Sequence, residues 1–336
     1  MNPHLQATGT RVRRPLWTDR SRTIRLLAAL AGIVLVVLAA STLGSYPVEL
    51  ITQVLIYALF AMSLDLLVGY TGLPSLGHSA YFGVAAYAAA LCSLKLGLPF
   101  WCAAPVGLLA AVVTALLFNL IALRTARGYY LMITLALAQV LWSIAVSWTD
   151  LSGGDNGLSG IARPVIGRPL EGAASYLWFV ALVFTVSAMA MWRIVRSPFG
   201  QALKGIRENE PRMRALGYET WRYKLVASLL AALFAGIAGE CFLYLNGFVG
   251  PSSLAVALSA QVLLMVLMGA AGTLFGSMLG AAVFVVLQNI VSSYTDRWLF
   301  VMGAIYVLFA LYAPAGALPW LRERWARYRN SVGGNT

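Results

Sequence analysis

Charge is what this chain of 336 residues has least of. Only 11% of its residues are charged, where an average soluble domain has about 25%. A soluble protein of this length needs a charged shell, and the residues to build one are missing. With 60% apolar residues the chain is an integral membrane protein. Cysteine is also scarce. Cys92, Cys102 and Cys241 stand singly in or beside apolar runs with no C-x-x-C spacing. That argues against a disulfide framework or a metal centre and reads as small buried apolar side chains. No G-x-x-x-x-G-K-[ST] phosphate loop occurs, so the chain does not bind ATP by that mechanism. No pair of ionisable residues carries a hydrolytic signature, and the expectation is no enzyme, no metal and no cofactor in this chain.

What the chain has is long apolar runs. They fall at about 26–44, 48–70, 76–95, 100–123, 129–150, 175–195, 225–245, 254–270, 272–294 and 298–316. Most reach the roughly 20 residues that a helix needs to cross about 30 Å of hydrocarbon. Runs of this length exclude an outer-membrane barrel, whose strands alternate over about ten residues. Backbone in lipid must bond within its own segment, so the spans are helices. The predicted fold is all-α and polytopic, a helical bundle of about ten transmembrane helices (eight to ten), with interrupted helices and a long cytoplasmic loop. The run 26–43 exceeds the h-region of a signal peptide, which predicts an uncleaved first helix.

The basic residues orient the spans. Twenty of 24 Lys and Arg lie in four clusters. Six precede residue 26, Arg124 and Arg127 follow the fourth span, eight occupy 193–224, and Arg322, Arg324, Arg327 and Arg329 close the chain. Ten spans and an internal N-terminus put all four clusters on one face, as the positive-inside bias requires. The prediction is a multi-pass protein of the bacterial inner (cytoplasmic) membrane with both termini cytoplasmic. It comprises a basic segment 1–25, a transmembrane domain 26–317 and a basic tail 318–336. Trp101, Trp148, Trp178, Trp192, Trp298 and Trp320 lie near span ends, where an indole meets membrane lipid and keeps its N–H wet. The net charge of +12 is thereby topology, not a nucleic-acid footprint.

Two segments are not spans. The periplasmic loop 149–175 contains "GGDNG", a run of turn chemistry, and reads equally as a structured connector or as a docking ledge. The cytoplasmic segment 196–224 has Ser197–Pro198 as a helix start and Phe199, Leu203 and Ile206 at helical spacing. Asn209–Glu210–Pro211 offers a second start and Gly217 a stop. Two short helices are predicted, with Met213 and Leu216 as apolar anchors for a partner's groove and the arginines as its rim.

The stretch "VGYTGLPSLGHSAYFG" at 68–83 interrupts the apolar sequence. Gly69, Gly72, Gly77 and Gly83 permit close backbone approach, and Pro74 breaks the ladder. A second such stretch, Gly269–Ala270–Ala271–Gly272 with Gly276 and Gly280, falls on the same predicted face. Paired interruptions point to a transport pathway, although glycine-mediated packing alone also explains them. Asp65, His78 and Glu240 are ionisable residues within these spans, and such groups face protein or water. Asp65 lies one turn before Gly69 and is expected to pair with His78 or to sense a substrate ammonium. His78 is expected to bond backbone freed by Pro74. Glu240 is expected to salt-bridge in a dimer interface or to be neutral. Asp65, Gly69, Gly72, Ser75, His78, Glu240, Gly269 and Gly272 are the candidate pathway residues.

The stretches 58–90, 127–142, 151–161, 199–228 and 248–282 resemble, in that order, the permease subunits of branched-chain-amino-acid-type ABC importers. The likeness covers roughly 50 to 315. It implies a hetero-oligomer with a sister permease subunit, two cytoplasmic ATPase subunits that carry ATP and Mg, and a periplasmic substrate-binding protein. It implies that 199–217 is the ATPase-coupling segment, with Phe199, Lys204, Arg207, Glu208, Glu210, Met213, Leu216 and Gly217 as coupling residues. The chain departs from the family pattern at Asp65, where a neutral residue is usual, at Glu240, where a small one is common, and in the more basic stretch 211–214. These departures bear on the solute, which reads equally as a branched-chain amino acid, an amide or urea. The alternative is a proton-coupled secondary transporter using Asp65, His78 and Glu240. A non-transporting scaffold explains neither the glycine breaks nor the buried acids.

Overall fold

The computed structural model describes residues 44–125, 127–166, 168–169 and 172–312. The basic segment 1–25, the first predicted span up to residue 43 and the tail 318–336 lie outside the described residues. The helices are α1 (Ser45–Asp65), α2 (His78–Lys95), α3 (Phe100–Ala122), α4 (Arg127–Ser147), α5 (Ala173–Arg196), α6 (Pro198–Glu208), α7 (Glu210–Ala215), α8 (Thr220–Asn246), α9 (Val256–Gly269), α10 (Leu274–Tyr294) and α11 (Trp298–Tyr312). α1 continues as a π-helical segment, Leu66–Thr71. Nine of the ten predicted spans thus have a helix among the described residues. Six of these helices are long and apolar enough to cross a membrane unaided: α1 with its π segment, α3, α4, α5, α8 and α10. α9 has 14 residues, which is about 21 Å of helix and short of the hydrocarbon core.

α1 is the central rod, packed against α5, α8, α9 and α10, while α2 packs on α3 and α8. Small side chains set these distances. A Cβ on Gly239 of α8 would lie 2.1 Å from the Phe82 carbonyl oxygen of α2, so the two backbones touch. Helices in lipid gain little from the hydrophobic effect and hold together by such close packing. Cys92 and Cys241 are buried as expected, but Cys102 is exposed on the first turn of α3. An apolar medium outside the protein removes the reason to hide a thiol.

Two connections turn back into the bundle. Gly72, at φ 71°, ends the π segment. The chain then climbs beside α1, so that His78 at the start of α2 meets Phe60 and Ser63. Ser63 lies eight residues before Thr71, about 12 Å further in at 1.5 Å per residue. From the opposite end, Phe248–Val249 pairs antiparallel with Leu158–Ser159. The turn Pro251–Leu254 then leads to α9. The Ser79 N–H donates to Ser259 Oγ at 2.8 Å, and Ser79 Oγ donates to the Leu254 carbonyl at 3.1 Å. Two helix starts therefore meet inside the bundle. Irregular backbone is tolerated at membrane depth when buried in protein in this way.

The described residues of the loop 149–175 are held by turns and by contacts to the bundle. Gly153, Gly154, Gly157 and Gly160 all take positive φ, which is the backbone that "GGDNG" called for. The Ile161 N–H bonds the Gly247 carbonyl at 3.3 Å, and Lys95 Nζ donates to the Asp150 carbonyl at 2.6 Å. The Arg163 guanidinium lies 5.3 Å from the Tyr176 ring centroid.

Candidate functional site: a glycine junction and the segment that touches it

The two glycine stretches meet. Asp65 Oδ1 accepts a hydrogen bond from the Gly272 N–H at 2.7 Å, across 207 positions of sequence. A Cβ on Gly69 would lie 2.2 Å from Gly272 N and 2.2 Å from Asp65 Oδ1. Between α9 and α10 the chain turns through Ala270 at φ 84° and Gly272 at φ 88°. A non-glycine residue held there stores about 1–3 kcal/mol of strain. Gly269 closes the hairpin, since a Cβ on it would lie 2.0 Å from the Gly276 carbonyl oxygen.

The expected pairing of Asp65 with His78 does not occur. His78 Nε2 lies 2.8 Å from Ser63 Oγ. Ser63 and Asp65 are two residues apart on one helix, about 200° around its axis, so their partners sit on different faces. The Ser63 hydroxyl donates to the Phe60 carbonyl at 2.6 Å, which leaves its oxygen to accept from His78 Nε2–H. The imidazole also stacks on Phe60, with centroids 5.4 Å apart. Nor does His78 serve backbone freed by Pro74. The Leu73 N–H bonds the Leu67 carbonyl at 3.1 Å, and Ser75 Oγ takes the Gly77 N–H at 3.2 Å. Ser75 is thus a loop brace.

Glu240 is 6% exposed and lies between helices of this chain, beside Gly107 of α3 and the Ala85 carbonyl of α2. A place in a dimer interface is corrected by that burial. Residues missed in the sequence complete the buried polar set. Asn119 Oδ1 accepts from the Tyr130 hydroxyl at 2.9 Å, and its Nδ2 lies 3.3 Å from the Tyr81 hydroxyl. Ser79 and Ser259 join α2 to α9. A lone Asn or Ser in an apolar helix was the available signal, since such groups turn inward.

The basic segment folds as its sequence predicts. Ser197 Oγ accepts from the Gly200 N–H and starts α6; Asn209 Oδ1 accepts from the Arg212 N–H and starts α7. Gly217 at φ 87° stops α7, with Tyr218 N–H bonding the Met213 carbonyl and Gly217 N–H the Arg214 carbonyl. Phe199 stacks on Tyr223 of α8 at 5.6 Å. Met213 lies over Gly205, so it joins α6 to α7 and is a half-buried brace, where the sequence suggested a free anchor. Leu216 is 66% exposed. Arg207 Nη1 donates to the Gly69 carbonyl, Lys204 Nζ lies 5.4 Å from the Tyr70 ring centroid, and Glu208 is exposed.

Glu210 is the clasp of this segment. It accepts from Lys224 Nζ at 2.6 Å, Arg214 Nη2 at 2.8 Å and Thr220 Oγ1 at 3.0 Å. Burial pushes its carboxyl upward, but the Lys224 contact and the Arg214 and Thr220 bonds outweigh it and hold the pKa below 4.5. The stabilisation is therefore present above pH 4.5 and lost as pH falls through the folded value. Glu210→Gln is expected to loosen α7 by about 2 kcal/mol, the contribution of hydrogen bonds to a charged group. Protease nicking at 208–218 in detergent measures it: faster in the variant at pH 7, with the difference shrinking as the pH falls through the folded value, below the usual carboxylate range.

A sequence model of the "branched-chain amino acid transport system / permease component" family matches residues 46–310. The chain belongs to that family. It is 30% identical over 330 residues to the high-affinity branched-chain amino acid transport system permease protein LivM of Escherichia coli K12, covering 91% of this chain and 78% of that one. The same identity and coverage hold for LivM of Salmonella typhimurium LT2. A probable branched-chain amino acid transport permease protein LivM of Methanocaldococcus jannaschii is 22% identical, with 81% and 94% covered. The family match spans the junction, both re-entrant connections and the segment 197–217, so this branched-chain amino acid permease component carries all of them within the family region.

Proposed function

We propose that the chain is the transmembrane permease subunit of an ABC importer that moves branched-chain or related amino acids across the inner membrane of a bacterium. The segment 197–217 is cytoplasmic, and the loop 149–175 is periplasmic. A sister permease subunit stands beside it, two ATPase subunits bind ATP and Mg, and a substrate-binding protein delivers solute at the loop end. The chain itself performs no chemistry. The observation that carries this reading is the contact of the basic two-helix segment with the Gly69–Gly272 junction. Motor closure displaces α6 and α7, and the helices around 65–83 and 265–280 re-pack to open inward. Affinity for the solute resides mainly in the binding protein, and amides and urea are solutes of the same kind.

The deciding experiment purifies the tagged chain from its host in detergent and measures ATPase activity and uptake in liposomes. A co-purifying ATPase and ATP-dependent leucine uptake are expected. A chain that purifies alone and transports without ATP overturns the reading and favours proton coupling through the buried acids. Asp65→Asn separates the two further. Asn keeps an oxygen for the Gly272 N–H, so uptake is expected to fall no more than about threefold, roughly 0.7 kcal/mol. Complete loss with normal assembly supports a proton-coupled carrier instead.

A further inference from the structure

We propose that Arg207 is the positioning residue through which the cytoplasmic segment controls the Gly69–Gly272 junction. The inference rests on the importer reading. Phe199, Met213 and Glu210 bind the segment to itself or to α8: Phe199 to Tyr223, Met213 to Gly205, and Glu210 to Arg214, Thr220 and Lys224. Arg207 reaches elsewhere. Its Nη1 donates to the Gly69 carbonyl of α1's π segment, and a Cβ on Gly272 would lie 2.9 Å from the same nitrogen. One guanidinium therefore stands where α1, the α9–α10 turn and α6 converge.

The chemistry suits a clamp. The last carbonyls of a helix have no partner within it and carry partial negative charge, so a cation there is favourable. Lys204, three residues earlier and on the same face of α6, places a second cation over Tyr70 of that segment. The junction brings backbone against backbone at Gly69 and Gly272. The Gly272 N–H on Asp65 ties the α9–α10 turn to α1, and Arg207 on the Gly69 carbonyl ties α6 to the same end of α1. The turn beyond it is strained at Ala270. Displacing α6 by the length of one hydrogen bond withdraws the guanidinium from the Gly69 carbonyl and from beside Gly272, the two residues at which α1 and the strained turn touch. Asp65 Oδ2, which has no hydrogen-bond partner among the described residues, is an acceptor within the same junction for a guanidinium that moves.

The test uses the complete transporter with its binding protein in proteoliposomes. It compares wild type, Arg207→Gln and Arg207→Lys for motor retention, ATPase rate and ATP-dependent leucine uptake. Arg207→Gln is expected to retain the motor and hydrolyse ATP while uptake falls more than tenfold, lowering uptake per ATP by at least that factor. Arg207→Lys is expected to recover much of it, to two- to threefold below wild type. Uptake per ATP unchanged in Arg207→Gln overturns the proposal. So does loss of the motor in that variant, which assigns Arg207 to docking. If Arg207→Gln does not assemble, Arg207→Lys decides: a ratio lowered two- to threefold with the motor retained supports the clamp, and an unaltered ratio overturns it. Failure of the importer reading looks different, because wild type itself then retains no ATPase.

Discussion

Gly69→Ala is expected to abolish uptake, lowering it at least tenfold, while the chain still inserts in the membrane. The added methyl would lie 2.2 Å from Gly272 N and 2.6 Å from Gly272 Cα. Both are backbone atoms, which cannot swing aside as the tip of a long side chain can. The helices must separate, which breaks the Asp65–Gly272 bond and draws the Gly69 carbonyl from Arg207. Overpacking of a tight core costs about 1–3 kcal/mol, and the lost hydrogen bonds add to it. Insertion depends on apolar character along the span, which one methyl does not reduce. Gly128→Ala is the control, since a Cβ there meets nothing within 4 Å. Uptake by Gly69→Ala above half that of the control, at equal membrane abundance, would sink the assignment of this junction to the pathway.

Leu216→Asp is expected to strip the ATPase from the purified permease. Leu216 is a large apolar side chain 66% exposed on a segment otherwise rich in charge, at the end of α7 just before the Gly217 stop. Burying such a side chain in a partner's groove contributes about 1.5–3 kcal/mol. A carboxylate placed there unpaired adds a desolvation cost of similar size or more. Together they lower affinity at least about a hundredfold. Co-purified ATPase activity per permease measures this, and retention above half of wild type would exclude Leu216 from the coupling surface. Met213→Asp acts differently. Met213 packs over Gly205, so that change damages the α6–α7 corner first, and faster proteolysis of 208–218 accompanies any loss of the motor.

Much of this architecture was legible because its causes are local. Ser197 and Asn209 start helices through hydrogen bonds to residues three positions on, and Gly217 stops one through its own φ. "GGDNG" likewise announced positive-φ turns where they occur. The site was legible by type but not by partner. Asp65, His78 and Glu240 stand out in the sequence as ionisable groups in apolar helices, but the protein neighbours that the sequence suggests for them are not the ones they meet. Asp65 meets Gly272, His78 meets Ser63, and Glu240 lies beside Gly107. Met213 reads in the sequence as an anchor for a partner's groove, because an apolar residue in a polar segment looks the same before folding whether it will pack outward or inward.

By itself the sequence determined the solvent, the helical class and the two-helix form of the basic segment, since hydropathy, caps and turn residues act within a few positions. Only the tertiary structure decided which helices touch. Helices that are apolar on every side carry little record of which face is inward, and lipid accepts either face. The choice falls instead to close contacts of small residues and to rare polar groups seeking partners. That is how Gly69 came to Gly272, Ser79 to Ser259 and Arg207 to the end of α1, across separations that no local pattern encodes.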